Sequence, residues 1–303
     1  MVVVYYIVSL SKERSMRKHK QKPARGRRTI FLWLCLLAAV GGYLWWGNND
    51  LMVERAVFSS PRLPEGFDGF RIVQLSDLHE KEFGRGNQRL LEAVAAEDPD
   101  LIALTGDLVD RVKGADPAYV DTVCRGLAGI APTYFVTGNH EWAVGNVPRL
   151  KKQMAALGVT VLSNQFVDLY SQGDRMVLAG IDDPNGYADQ KTPEELAEEL
   201  RTAFGDSFWV LLAHRNSRFA DQYSLLGADL VLTGHGHGGI VRLPFTDGLI
   251  SHEFALFPSY MSGFYRENGS TMFASRGLGN STPSFRIFNR PEIAVITLSR
   301  ETV

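Results

Sequence analysis

Five short apolar runs in this chain each stop at a residue able to bind a metal ion, and no other feature narrows the possible folds as far. FRIVQLS leads into Asp77 and His79, DLIALTG into Asp107, PTYFVTG into Asn139, FWVLLA into His214, and DLVLTG into His235 and His237. Runs of this length without polar alternation predict strands buried on both faces, as in a parallel sheet covered by helices. In open α/β sheets ligands bind beyond the carboxyl ends of the strands, where all of these residues fall. Five strand ends are therefore expected to converge on one site.

The candidate ligands are imidazoles, carboxylates and one carboxamide, a set that suits Mn, Fe or Zn better than Ca or Mg. Thiolates take no part: Cys35 lies in an apolar stretch and Cys124 in an expected helix, so neither completes a cysteine site. Residues two apart on extended chain point the same way, so Asp77 with His79, and His235 with His237, can each aim two side chains at one cluster. Seven ligands exceed what one ion with open positions needs, which predicts two divalent ions. A carboxylate must then bridge them, and Asp107 is the expected bridge.

Asp77-Leu78-His79, Gly106-Asp107-Leu108-Val109-Asp110-Arg111, Gly138-Asn139-His140-Glu141, His214 and Gly234-His235-Gly236-His237 resemble, in order and spacing, the five motifs of calcineurin-like metallophosphoesterases. The longer forms, with Ser76 before the first motif and Gly238-Gly239 after the last, are similar to a membrane-anchored bacterial branch. Five ordered motifs are far more specific than one. The resemblance implies a four-layer αββα sandwich, preceded here by one N-terminal transmembrane helix. It implies one ion held by Asp77, His79, Asp107 and His237, and another by Asp107, Asn139, His214 and His235. It also implies catalytic roles for His140 beside the leaving oxygen, for Asp110 as its hydrogen-bond partner and for Arg111 on substrate phosphate. Gly236 and Ile240 depart from the Thr and Gln frequent at these positions, which bears on substrate preference.

Phosphoester hydrolysis also follows from the residues. Paired dications acidify a bridging water, supply hydroxide near neutral pH and neutralise phosphoryl charge during in-line displacement. An imidazolium at His140, oriented by Asp110, is expected to protonate the leaving alkoxide. Taken singly, a Gly-Asp pair is ordinarily a turn and a lone histidine a satisfied polar residue. Five such positions at strand ends weaken that reading. His252, with no motif around it, is expected in a loop.

Before Thr29 the chain carries nine Lys or Arg against one acid, and Ile30 to Gly47 then holds no charge. That stretch spans about 27 Å as a helix, close to a bilayer core of about 30 Å. Trp33, Tyr43, Trp45 and Trp46 suit interfacial belts. The basic flank predicts a cytoplasmic N-terminus and an extracytoplasmic domain, so a single-pass protein of the cell membrane is expected. Arg27-Arg28 resembles a twin-arginine export signal, and the absence of a small-x-small cleavage pattern predicts retention. The expected organisation is a disordered basic segment at 1–28, an anchor at 29–47, a linker and first strand region at 48–69, and the metallophosphoesterase domain at 70–303.

Setting aside the basic segment leaves 23 basic against 33 acidic residues, about −10. Nucleic acid is thereby disfavoured as a partner, since its binding rests on Lys and Arg. The bilayer and a phosphate ester, amphiphilic in one reading, are the expected partners. Phosphodiesters or pyrophosphates are favoured over phosphoproteins. A UDP-2,3-diacylglucosamine-type pyrophosphate hydrolase is the alternative if the domain is cytoplasmic, and a non-catalytic metal-dependent scaffold is the alternative of another class.

Helical spacing predicts helices at Asn87–Glu97, Tyr119–Leu127, Val147–Leu157, Pro193–Phe204 and Phe219–Leu226. Val159–Tyr170 and Arg175–Ile181 read as strands, and the region after Gly239 as strand-rich. There the aromatics Phe245, Phe254, Phe257, Tyr260, Phe264 and Tyr265, with Leu256 and Met261, fit either hairpins packed on the sheet or an apolar rim beside the metals. Arg276 to Ser281 is expected to line the same cleft or to form a plain turn.

Overall fold

The computed structural model describes residues 25–186, 190–243, 246–251, 254–280 and 285–301. Phe245, His252, Ser281 and the basic stretch up to residue 24 lie outside them. The chain divides into a unit ending at Tyr43 and a second unit, Leu44–Val303.

Helix α1, Arg25–Asn49, carries the uncharged run and begins before the expected anchor. Its Arg28–Asn49 portion is long and apolar enough to cross a membrane by length and composition. The last turn, from Leu44, belongs to the second unit.

The second unit contains two six-stranded sheets. In the first, β1 (Met52–Ser60) pairs in parallel with β12 (Glu292–Arg300), which runs antiparallel to β2 (Arg71–Leu75). Parallel β3 (Leu101–Thr105), β4 (Thr133–Val136) and β5 (Val159–Val161) complete this sheet. In the second, β6 (Gln165–Ser171) is antiparallel to β7 (Asp174–Gly180), and β8 (Trp209–Arg215), β9 (Leu230–Gly234) and β11 (Ser270–Ala274) continue in parallel. β10 (Gly263–Glu267) closes the edge antiparallel to β11.

The period of two along each strand explains the layering. Ile72, Leu101, Ala103, Val210, Leu212, Leu230 and Leu232 face the core between the sheets. Their neighbours Val73, Leu75, Ile102 and Leu104 face a second core shared with α2 (Gln88–Ala95), α3 (Pro117–Ala128) and α5 (Val147–Ala156). Leu211, Ala213 and Val231 face a third, under α6 (Pro193–Phe204). This is the expected αββα order, and it is why the strands carry no polar alternation.

Local signals set the element ends. Asp116 caps α3 through the Ala118 amide with Pro117 at the first helical position, and Thr192 with Glu195 forms a capping box on α6. Two expectations are corrected. Phe219–Leu226 is not an α-helix but turn residues leading into a single 3₁₀ turn, Tyr223–Leu225, just after another 3₁₀ turn at Asn216–Arg218. Val159–Tyr170 is not one strand: Asn164, with φ of 52°, turns the chain from β5 in one sheet to β6 in the other. The strand-rich region expected after Gly239 has its strands from β10 onward, and between Gly239 and β10 the described residues form isolated bridges. The segment 48–69, expected as linker and first strand region, contributes all of β1.

Leu178 is buried between the sheets, whereas Leu225 is exposed. Leu178→Ala is expected to cost about 2–5 kcal/mol in denaturant unfolding and Leu225→Ala less than about 0.5 kcal/mol. Equal shifts of the two midpoints would contradict the assigned inter-sheet core.

Candidate metal centre

Every candidate ligand sits at the carboxyl end of a parallel strand: Asp77 and His79 come after β2, Asp107 after β3, His235 and His237 after β9, and His214 lies near the end of β8. Asn139 opens the short helix α4, Asn139–Val144, after β4. His214 has the parity of Val210 and Leu212, so it faces the space between the sheets.

The turns that carry these groups are strained and close. Asp77, His79, Asp107, His235 and His237 have φ of 52°, 47°, 53°, 67° and 50°. Left-handed backbone costs residues with a side chain about 1–3 kcal/mol each and clusters where function holds it. Gly138 packs so tightly that a Cβ there would stand 2.2 Å from Asp107 Oδ1, so the second and third motifs meet only because it is glycine.

Asp107 stands at the centre. Its Oδ1 accepts the His140 amide at 2.8 Å, leaving Oδ2 to face inward. That oxygen lies 3.3 Å from His214 Nε2, 3.8 Å from His79 Nε2 and 3.9 Å from His140 Nε2. To one side, His79 Nε2 meets His237 Nε2 at 3.2 Å, and Asp77 Oδ1 is 3.5 Å from the latter. To the other, His214 Nε2 is 3.2 Å from both Asn139 Oδ1 and His235 Nδ1. Among the described residues the His and Asp donors form three overlapping groups, each with atoms within 4.8 Å of one another.

Whether this set suits cations depends on its hydrogens. His214 Nδ1 sits 2.8 Å from the Thr105 carbonyl, which fixes the hydrogen on Nδ1 and turns the Nε2 lone pair toward three other acceptor atoms. His79 Nδ1 is buried without a hydrogen-bond partner among the described residues. Lone pairs facing lone pairs at 3.2–3.8 Å repel unless a positive charge lies between them. The donors therefore fit divalent ions on either side of Asp107.

Titration reflects the same crowding. Burial pulls the His214 imidazole down, but the charge and hydrogen bond of Asp107 outweigh it and raise the group to about 10. Burial pushes the Asp107 carboxyl up, and the charge and hydrogen bond of His214 overturn this, holding it well below the usual carboxylate range. Burial lowers His79 to about 4 despite both nearby aspartates.

The proposed catalytic residues lie alongside. His140 Nδ1 accepts the Arg111 amide at 3.0 Å, whereas Asp110 is the partner expected from the sequence. Asp110 is buried and accepts the Val112 amide at 2.8 Å, and Arg111 is exposed. Glu141, the last residue of the third motif, proves central: its carboxylate accepts the amides of Asp107, Val109 and Gly138 at 2.9, 3.1 and 2.6 Å, binding two motif turns together. Burial, then the Asp107 charge, raises it to about 7. Arg286 and Asn289 carry no motif and were missed. Arg286 approaches His237 Nδ1 at 3.4 Å and holds the carbonyls of Arg276 and Gly279, and the Asn289 carboxamide donates to the His237 carbonyl at 2.7 Å. The Arg276–Asn280 stretch packs on the first motif, with the Gly279 amide on the Asp77 carbonyl at 2.6 Å.

The calcineurin-like phosphoesterase family model matches residues 70–239, and the chain belongs to that family. It is a metallophosphoesterase, a class that hydrolyses phosphoesters with divalent metals. It is 30% identical over 271 residues to the uncharacterized metallophosphoesterase YkuE of Bacillus subtilis, covering 86% of this chain and 91% of that one. It is 28% identical to an uncharacterized metallophosphoesterase of Aquifex aeolicus, covering 86% and 96%. A Danio rerio transmembrane protein with metallophosphoesterase domain is 30% identical, covering 79% of this chain and 55% of that one. Among solved structures, a dimetal phosphatase from Danio rerio aligns with a TM-score of 0.45 at 13% identity, covering 69% and 88%.

With His214 raised to about 10, its Nε2 carries a proton below that pH, and an ion bound there must displace it. Metal affinity at this side is expected to fall about tenfold per pH unit as pH drops from 9 to 6, with one proton released per ion. Calorimetric titration of the metal-free protein in buffers of different ionisation enthalpy checks this; pH-independent affinity would contradict it.

Proposed function

We propose that this chain is a membrane-anchored phosphohydrolase that holds two divalent ions and cleaves phosphodiester or pyrophosphate bonds of cell-envelope or lipid-linked substrates. The observation that carries the reading is the single inward oxygen, Asp107 Oδ2, with imidazoles of both ligand groups within 4 Å of it. One ion would be held by Asp77, His79, Asp107 and His237, the other by Asp107, Asn139, His214 and His235. Mn, Fe or Zn suits this donor set. Bound there, such ions supply Lewis acidity toward phosphoryl oxygens and a water acidified toward neutral pH.

The chain's own groups do the rest. With its Nδ1 accepting the Arg111 amide, His140 turns Nε2 toward the ligand cluster, where an Nε2 hydrogen can be donated to developing negative charge on the leaving oxygen. Glu141 keeps the Asp107 and Gly138 turns in register. The exposed Arg111 guanidinium is able to swing toward a substrate phosphate. The full ligand set with His140 speaks against a decayed scaffold, and the charge balance of about −10 after the N-terminal segment speaks against nucleic acid.

His140→Ala is expected to keep its metal and to lose about 10²–10³-fold in turnover per bound metal on an aryl phosphodiester. Lost metal with unchanged turnover per metal would make His140 a ligand and refute the role. In this reading the nine basic residues before Thr29 favour a domain outside the cytoplasm. Protease added to intact spheroplasts should digest it, and protection until lysis would reverse the orientation.

A further inference from the structure

Exposed apolar side chains on the second unit are not evenly spread. Val57, Val112, Tyr170, Leu225 and Phe264 are scattered, as on any surface. Phe254, Leu256, Phe257 and Phe288 are 72%, 68%, 67% and 60% exposed, and Leu243 and Phe285 are exposed beside them. These residues sit on or beside one set of bridged segments: Leu256 bridges to Ile250, Ile250 to Val241, and Val241 to Ile287. Phe254, Phe257 and Phe288 also hold φ of 61°, 50° and 54°, a backbone cost of about 1–3 kcal/mol each.

The Arg286–Arg290 end of this ridge is anchored on two sides. Asn48, in the last turn of α1, accepts the Arg286 amide at 2.8 Å, donates to the Arg286 carbonyl at 3.1 Å and accepts from the Asn280 carboxamide at 2.9 Å. Arg290 lies over the Trp46 ring at 5.0 Å, and Trp45 of the same turn is exposed. The ridge segment is thus bonded to the turn at which a spanning α1 would leave the bilayer. On its other side, Asn289 grips the carbonyls of His237 and Gly239, so the same segment holds a ligand loop of the metal centre.

We infer that the aromatic ridge of Phe254, Leu256, Phe257, Phe285 and Phe288 docks into the lipid surface beside the end of α1 and holds the metal cleft against it, selecting phosphate esters whose apolar part stays in the membrane. The inference rests on the anchored-phosphohydrolase reading and deepens it by naming the source of the substrate. Burying one phenylalanine ring in an apolar phase contributes about 1.5–3 kcal/mol, so a few rings on a chain already tethered are enough to fix its orientation. Bonds from Asn48 and Asn289 transmit that orientation to His237.

The test uses the full chain in vesicles of phosphatidylethanolamine and phosphatidylglycerol. In a Cys35→Ser background, with Cys124 buried, nitroxide labels are placed by Phe257→Cys, Phe288→Cys and, as an exposed control, Leu225→Cys. Labels at 257 and 288 should be relaxed more by oxygen than by an aqueous nickel chelate, and the label at 225 the reverse. Nickel accessibility at 257 and 288 equal to that at 225 would overturn the proposal. So would spin–spin broadening between labels at 257, which would assign the ridge to a second copy. Phe254→Ser with Phe257→Ser should lower hydrolysis of a vesicle-borne phosphodiester by about tenfold or more, leaving a dissolved aryl phosphodiester unchanged and so showing the centre folded. An equal loss on both would also overturn it. Depth is read without turnover, so failure of the hydrolase reading, with neither ester cleaved, is distinguishable from failure of docking.

Discussion

The structure depends on one unfavourable arrangement: lone pairs of two carboxylates, four imidazoles and a carboxamide are aimed at one another with too few hydrogens between them. Asp107 Oδ2 faces His214 at 3.3 Å and His79 at 3.8 Å, and each of those histidines meets a further acceptor at 3.2 Å. Such a cluster does not assemble for its own stability. It is held by two cores that flank the first sheet, by a third behind the second sheet, and by Glu141, which ties the turns of two motifs through three amides. Positive charge between the ligands turns the repulsion into coordination, and in the metal-free chain a proton on His214 partly takes that role.

The sequence made the candidate ligands legible because their positions rest on local rules. A buried parallel strand must stop at the core's edge, and Asp77, Asp107, Asn139, His214 and His235 are the polar residues standing at that edge. The sandwich was legible through the resemblance, and its doubly buried strands through their lack of alternation. Other features depend on contacts far apart in sequence and left no local trace. The pairing of β1 with β12 and the grip of Asn48 on Arg286 are of this kind. The Arg111 amide on His140 Nδ1 is a backbone group, which carries no residue signature. Two misreadings had visible warnings: Ser163-Asn164 is a turn signal inside the supposed strand Val159–Tyr170, and Phe219–Leu226 is too short for its spacing to separate a helix from successive turns.

The C-terminal segment links the two ends of the molecule's chemistry. Arg286 and Asn289 bind the His237 loop, and the Arg286 backbone binds Asn48 at the end of the apolar helix. A ligand loop and the helix end are thus connected through a few hydrogen bonds. Between them stand aromatic side chains that the core does not use. The residues from Leu44 to Asn49 are in this way part of the support of the His237 loop.

The central claim concerns the space between the ligands, and anomalous diffraction from crystals of the metal-loaded protein tests it most directly. Data collected at the absorption edge of the bound metal should give two peaks about 3.5–4 Å apart, one on each side of Asp107 Oδ2. A single peak away from that oxygen, or none with the histidines turned outward, would contradict the account.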